Sequence, residues 1–172
     1  MLKTKEKNIT SYILIVEDDP DQMGLLAHFA HGEFKRIMAD DNTTEAQRLK
    51  IQSIKIISAT NIRALEKAVH AHKNILLAIL DCNIPDTKDQ APHDQFIKTA
   101  YKITGQHRAA DIVVKSLPNT PITMISSMSR FQKIVTRYYE NEHDVHINFI
   151  RKKDMDIIKN NIAYYLRKHI NE

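Results

Sequence analysis

Ile75-Leu76-Leu77-Ala78-Ile79-Leu80-Asp81-Cys82-Asn83-Ile84-Pro85-Asp86 is the stretch that decides the fold. Consecutive apolar residues without alternation read as a short strand covered on both faces, the condition of a central strand in a parallel sheet. Asp81 closes that run. Two other segments repeat the arrangement: Tyr12-Ile13-Leu14-Ile15-Val16 ends in Glu17 and Asp18, and Ile147-Asn148-Phe149-Ile150-Arg151 ends in Lys152. In an open parallel sheet the C-terminal strand ends share one edge, and ligands bind in the crevice there. Residues far apart in sequence are therefore expected to meet. Clustered carboxylates repel one another unless a cation joins them, and a small set of hard oxygen ligands suits Mg2+. A lysine beside them can neutralise a phosphoryl oxygen. The pattern reads as a magnesium-assisted phosphoryl acceptor.

Around these segments, short β-like runs alternate with longer helical patterns, the signature of an α/β sheet with helices on both faces. Strands are expected over 12–16, 55–59, 75–80, 122–125 and 146–150. Asp19-Pro20 reads as N-cap and first helical residue, with Gln22 as a capping-box partner. Leu25, Leu26 and Phe29 would face inward, and His31-Gly32 would weaken this helix before Phe34, Ile37 and Met38 resume the spacing. Asp40-Asp41-Asn42-Thr43-Thr44 is a turn or a fresh N-cap before a short segment, 45–51. Further helices are expected over 61–72, 109–117, 130–141 and 155–170. Between the third strand and the 109–117 helix lies an excursion of about 86–108, with its own expected helix near 94–104. Long connections in compact domains are usually functional or mobile.

At 172 residues, 42% hydrophobic and 27% charged, the chain suffices for one well-packed domain and is short for two. Residues 1–10 read as a flexible lead-in and 11–172 as the domain. The polar N-terminus lacks the apolar core of a secretory signal, and no apolar run approaches a membrane span. The single cysteine, Cys82, rules out an intrachain disulfide and fits a reducing cytoplasm. A net charge of +4, from 25 basic and 21 acidic residues, permits an acidic partner. No nucleic-acid motif or aromatic-basic interleaving accompanies it, so no direct nucleic-acid contact is expected. His70-x-His72 and His143-x-x-His146 lack a third fixed ligand for zinc. Cys82, without a basic neighbour in sequence, reads as a buried small residue. The pairs Tyr138-Tyr139 and Tyr164-Tyr165 read as half-buried helix positions.

The arrangement resembles the receiver domain of bacterial two-component response regulators across nearly the whole chain. Ile13-Leu14-Ile15-Val16-Glu17-Asp18-Asp19 is similar to the family's first strand and acidic pair, and Leu80-Asp81-Cys82-Asn83-Ile84-Pro85-Asp86 to its phosphoacceptor segment. Pro121-Ile122-Thr123-Met124-Ile125-Ser126-Ser127 resembles its fourth strand and switch hydroxyl, and Phe149-Ile150-Arg151-Lys152 its fifth strand, aromatic switch and lysine. The resemblance implies a three-layer α/β/α, flavodoxin-like fold, with five parallel strands in the order 2-1-3-4-5. It implies that Asp81 accepts a phosphoryl group from a histidine kinase or histidine phosphotransfer protein. Asp18, Asp81 and the backbone carbonyl of Asn83 would ligate Mg2+, with Glu17 near it through water. Lys152 and Ser126 would bind the phosphoryl oxygens, and Ser126 and Phe149 would act as the switch. A downstream protein target would meet the face that the family builds from its fourth helix, fifth strand and fifth helix, here 130–141, 146–150 and 155–170. A dimer is compatible with that.

With the chain ending at Glu172, the expectation is a stand-alone cytoplasmic receiver that is not an enzyme and acts through protein contacts. Lys153 stands where the family usually has a proline, and the 86–108 excursion begins beside Asp81, where it would form a rim or lid of the acidic site. Met128 would sit near the water path. Two alternatives stand beside this reading. One is a pseudo-receiver, the same fold used for protein binding without phosphorylation. The other is a magnesium-dependent phosphatase with an aspartate nucleophile; such enzymes carry a second aspartate two residues on, where this chain has Asn83.

Overall fold

The computed structural model describes residues 10–82, 84–86, 108–127, 136, 139–141 and 145–172. Five strands, β1 (Ser11–Val16), β2 (Ile54–Ala59), β3 (Ile75–Asp81), β4 (Ile122–Ser126) and β5 (Ile147–Arg151), form one sheet in the order β2-β1-β3-β4-β5. Every pairing is parallel. The helices are α1 (Pro20–Ala39), α2 (Glu45–Gln52), α3 (Ile62–Ala71), α4 (Arg108–Ser116) and α5 (Met155–Asn171). This is the flavodoxin-like α/β arrangement that the resemblance implied.

The period of two along each strand sorts the core into two layers. Leu14 and Val16, Ala78 and Leu80, Ile122 and Met124, and Ile147 and Phe149 face the side where α3 and α4 pack. Ile13 and Ile15, Leu77 and Ile79, Ile125 and Ile150 face the side of α1, α2 and α5. Continuous apolar runs in β1 and β3 follow directly from being covered twice.

Local chemistry sets the helix starts. Asp19 accepts from the backbone N–H groups of Asp21 (2.9 Å) and Gln22 (3.3 Å), and Pro20 occupies the first helical position. The expected reciprocal bond from the Gln22 side chain is absent among the described residues, so Asp19 caps alone. The reciprocal box forms instead at α2, where Thr44 and Gln47 satisfy each other's backbone N–H groups. Asn61 caps α3 through Ala64 N.

α1 runs unbroken through His31-Gly32, and its buried stripe is Leu26, Ala30, Glu33 and Ile37, with Leu25 and Phe29 half-buried. Glu33 within the stripe pairs with Arg36, at 2.6 Å, one turn on. Polar staples tie the sheet to α5: Thr123 Oγ1 meets Asn161 Oδ1 at 2.6 Å, and Asn148 Nδ2 donates to Tyr165 Oη at 3.1 Å. Of the expected 130–141 helix, residues 136 and 139–141 are described and helical. The expected rim or lid at 87–107 and the lead-in at 1–9 lie outside the described residues.

Candidate functional site

Strand register assembles the site. Val16 lies abreast of Leu80, Asp81 of Ile125, and Ser126 of Arg151. The ladder continues just beyond the strand ends, through Glu17 N to Ala59 O (3.1 Å), Cys82 N to Ile125 O (3.1 Å) and Lys152 N to Ser126 O (2.9 Å). Glu17, Asp81, Ser126 and Lys152 therefore gather at one edge of the sheet. The loop after Asp81 is fixed at its far end, where Ile62 N donates to Pro85 O at 3.0 Å and Asp86 pairs with Arg108.

Lys152 is the hub. Its ammonium lies 3.0 Å from Asp81 Oδ2, 3.1 Å from Glu17 Oε1 and 2.9 Å from Glu17 Oε2. Glu17 Oε1 also accepts from Asp19 N at 3.3 Å. Glu17 Oε2, close to the ammonium but off the angle of a hydrogen bond, has no hydrogen-bond donor among the described residues. Glu17 is completely buried and Asp81 is 6% exposed, while Asp18 is half-buried at the rim.

Burial and the nearby Asp81 charge push the Glu17 carboxyl up to about 7, against the pull of Lys152 and the Asp19 amide. Asp81 is also raised, chiefly by burial, with Lys152 opposing and Asp18 adding to the rise. Burial pulls Lys152 down, but the charges and hydrogen bonds of Asp81 and Glu17 outweigh it and hold its pKa above the ordinary lysine value. Lys152 pairs with Glu17 and Asp81, and Asp18 brings a third carboxyl to the same edge.

One oxygen each from Glu17, Asp18 and Asp81 lie within 4.8 Å of one another. Two like charges at that separation repel by about 3 kcal/mol at an effective dielectric of about 20. A divalent cation would relieve that repulsion and give the orphaned Glu17 Oε2 a partner. All-oxygen donors with room for water suit magnesium, so the residues fit that ion. The backbone carbonyl of Asn83, expected as a further ligand, lies outside the described residues, as does Met128.

Ser126 is half-buried, one strand over from Cys82, whose backbone N–H donates to Ile125 O. Phe149 is buried at 9% exposed, on the same face of the sheet as Met124 and Ile147. Cys82 does have a basic neighbour, since Lys152 acts on it. Burial and the Asp81 charge nevertheless dominate and push the thiol well above its ordinary value, so it is not poised as a thiolate.

Glu17, expected near the metal through water, is the most buried carboxylate of the set and a direct partner of Lys152. The signal available in sequence was its place first after an apolar strand, one residue nearer the core than Asp18.

No protein-family model and no curated protein matches the sequence. Most of the solved structures similar to it are response regulator receiver domains. The N-terminal domain of a response regulator/sensory box/GGDEF three-domain protein from Carboxydothermus hydrogenoformans is 13% identical, with a TM-score of 0.55, over 92% of this chain and 96% of its own. The signal receiver domain of an HD domain-containing protein from Pseudomonas fluorescens is 8% identical, with a TM-score of 0.53, over 99% of both chains. The receiver domain of NtrX from Brucella abortus is 15% identical, with a TM-score of 0.50, over 88% of this chain and 98% of its own. At these identities the likeness is one of fold.

Proposed function

We infer that this chain is a phosphoacceptor of the receiver type, in which Asp81 takes a phosphoryl group from a phosphohistidine on a partner kinase or phosphotransfer protein. The single observation that carries this reading is the position of the Lys152 ammonium, 3.0 Å from Asp81 Oδ2 at an edge where two further carboxylates converge. An Asp81 carboxylate oxygen would attack phosphorus. A phosphorus–oxygen bond forms, the phosphorus–nitrogen bond breaks, and the histidine ring keeps the electron pair and takes up a proton. Lys152 is placed to follow the new negative charge from the carboxylate to a phosphoryl oxygen. Ser126 would hydrogen-bond another phosphoryl oxygen.

Glu17, Asp18 and Asp81 would hold Mg2+, which when bound screens charge on the transferring group. The carbonyl of Asn83 belongs to the same proposed set. Ser126, by moving, would alter the packing of Phe149 and so the surface around β5 and α5, a two-state element biased by local charge. In this reading the chain signals through protein contacts and catalyses no reaction beyond its own phosphorylation and dephosphorylation.

The competing pseudo-receiver reading takes support from Lys152 itself, because its ammonium is already paired with both Glu17 and Asp81. Titration with beryllofluoride and Mg2+, followed by amide NMR, separates the two. The phosphoacceptor reading expects shifts at Asp81, Ser126 and Phe149 that vanish in Asp81→Asn. Unchanged spectra support the pseudo-receiver.

A further inference from the structure

On the side of the sheet away from α1 and α5, the outer surface of α3 carries Arg63, Lys67 and His70 at i, i+4 and i+7, the spacing of one helical face. All three are exposed. Lys73, just past the helix, and Lys115, on neighbouring α4, turn toward the same place, a depression of about 280 Å³ between the two helices. Its apolar lining comes from Val69 and Ile112. A shallower hollow beside it is lined by Arg63, Lys67 and His70. Glu66 is the one carboxylate lining either.

Among the described residues, none of Arg63, Lys67, Lys73 and Lys115 makes an ion pair, and neither does Glu66. The groove thus sets four cations and a histidine around half-buried Ile112.

We propose that the α3–α4 groove docks an acidic segment of a partner protein, with an apolar side chain of that segment against half-buried Ile112. Charge complementarity selects the anionic partner and the on-rate. α3, with 10 residues, offers about 15 Å of edge, enough for four or five extended residues at about 3.3 Å each. A single-stranded nucleic acid would want aromatic platforms for its bases, and no Phe, Tyr or Trp lines the groove among the described residues. This surface is separate from the Asp81 edge, so the proposal holds whether or not the chain is phosphorylated.

The test uses the full chain and a synthetic peptide of alternating glutamate and leucine, titrated by fluorescence anisotropy at low salt. Saturable binding is expected, weakened by about tenfold or more in the double variant Lys67→Glu, Lys115→Glu. Asp81→Asn should bind the peptide like the parent, and the double variant should be phosphorylated like the parent, which keeps this outcome apart from that of the acceptor reading. Failure of the parent to bind, or equal binding by the double variant, overturns the proposal. Tighter binding of a single-stranded oligonucleotide of equal charge also overturns it, in favour of a nucleic-acid surface.

Discussion

Lys152 Nζ touches Asp81 Oδ2 at 3.0 Å and Glu17 Oε2 at 2.9 Å, joining the end of β5 to the ends of β3 and β1. The contact neutralises one of two buried carboxylates and leaves the other to be satisfied by something else. Protonation of Glu17, or a bound cation, does that. The metal-free site is therefore a compromise, and its energetics are open to measurement.

Lys152→Ala should expose that compromise. Removing one partner of a buried ion pair costs about 3–5 kcal/mol. The Lys152 side chain is 22% exposed, so about 2 kcal/mol is expected for the metal-free protein near pH 8. Urea denaturation checks this. An unchanged midpoint would mean that the ammonium does not stabilise the site.

Stability should fall as pH rises from about 4.5 to about 7. The Glu17 carboxyl has a folded-state value of about 7 against an ordinary value of 4.5. A raised folded value gives stability that is fully present below the unfolded value and lost as pH passes through the folded one. Asp81, also raised, acts in the same direction. Thermal unfolding of metal-free parent and Glu17→Gln across this window should show a steeper decline in the parent. Parallel curves would contradict the assignment.

Magnesium binding requires the deprotonated carboxylates, so affinity should improve as pH rises through about 7, the Glu17 value, with proton release on binding. Calorimetry in two buffers of different ionisation enthalpy measures the proton count. Asp18→Asn should weaken binding without moving the pH dependence. A flat affinity between pH 6 and 8 would remove Glu17 from the ligand set.

Tyr139 is fully buried, and its hydroxyl donates to Asp111 Oδ1 at 2.6 Å. Tyr139→Phe leaves the ring in place and removes a hydrogen bond to a carboxylate, at a cost of about 1.5–3 kcal/mol. Chemical denaturation reads the loss. A cost below about 0.5 kcal/mol would mean that water replaces the hydroxyl.

The strands and the acceptor edge were legible because their signals are local. An apolar run ending in Asp81, Glu17 or Lys152 can be read without knowing its neighbours, and so can Asp19-Pro20 as a helix start. Four such ends in order then fixed the topology through a family resemblance. What stayed hidden depends on partners distant in sequence. Tyr139 looks half-buried until Asp111 gives its hydroxyl a partner. Glu17 reads as a plain strand-end acid until Lys152 reaches it from β5. The basic groove was missed for the same reason, since Lys73 and Lys115 meet only when α3 and α4 pack side by side.

The central claim is that Asp81 is the phosphoacceptor. Intact-mass measurement after incubation with acetyl phosphate and Mg2+ tests it directly. The account predicts that the parent gains one phosphoryl unit, that chelation of Mg2+ prevents the gain, and that Asp81→Asn shows none. No gain in the parent, or a gain that persists in Asp81→Asn, would contradict it.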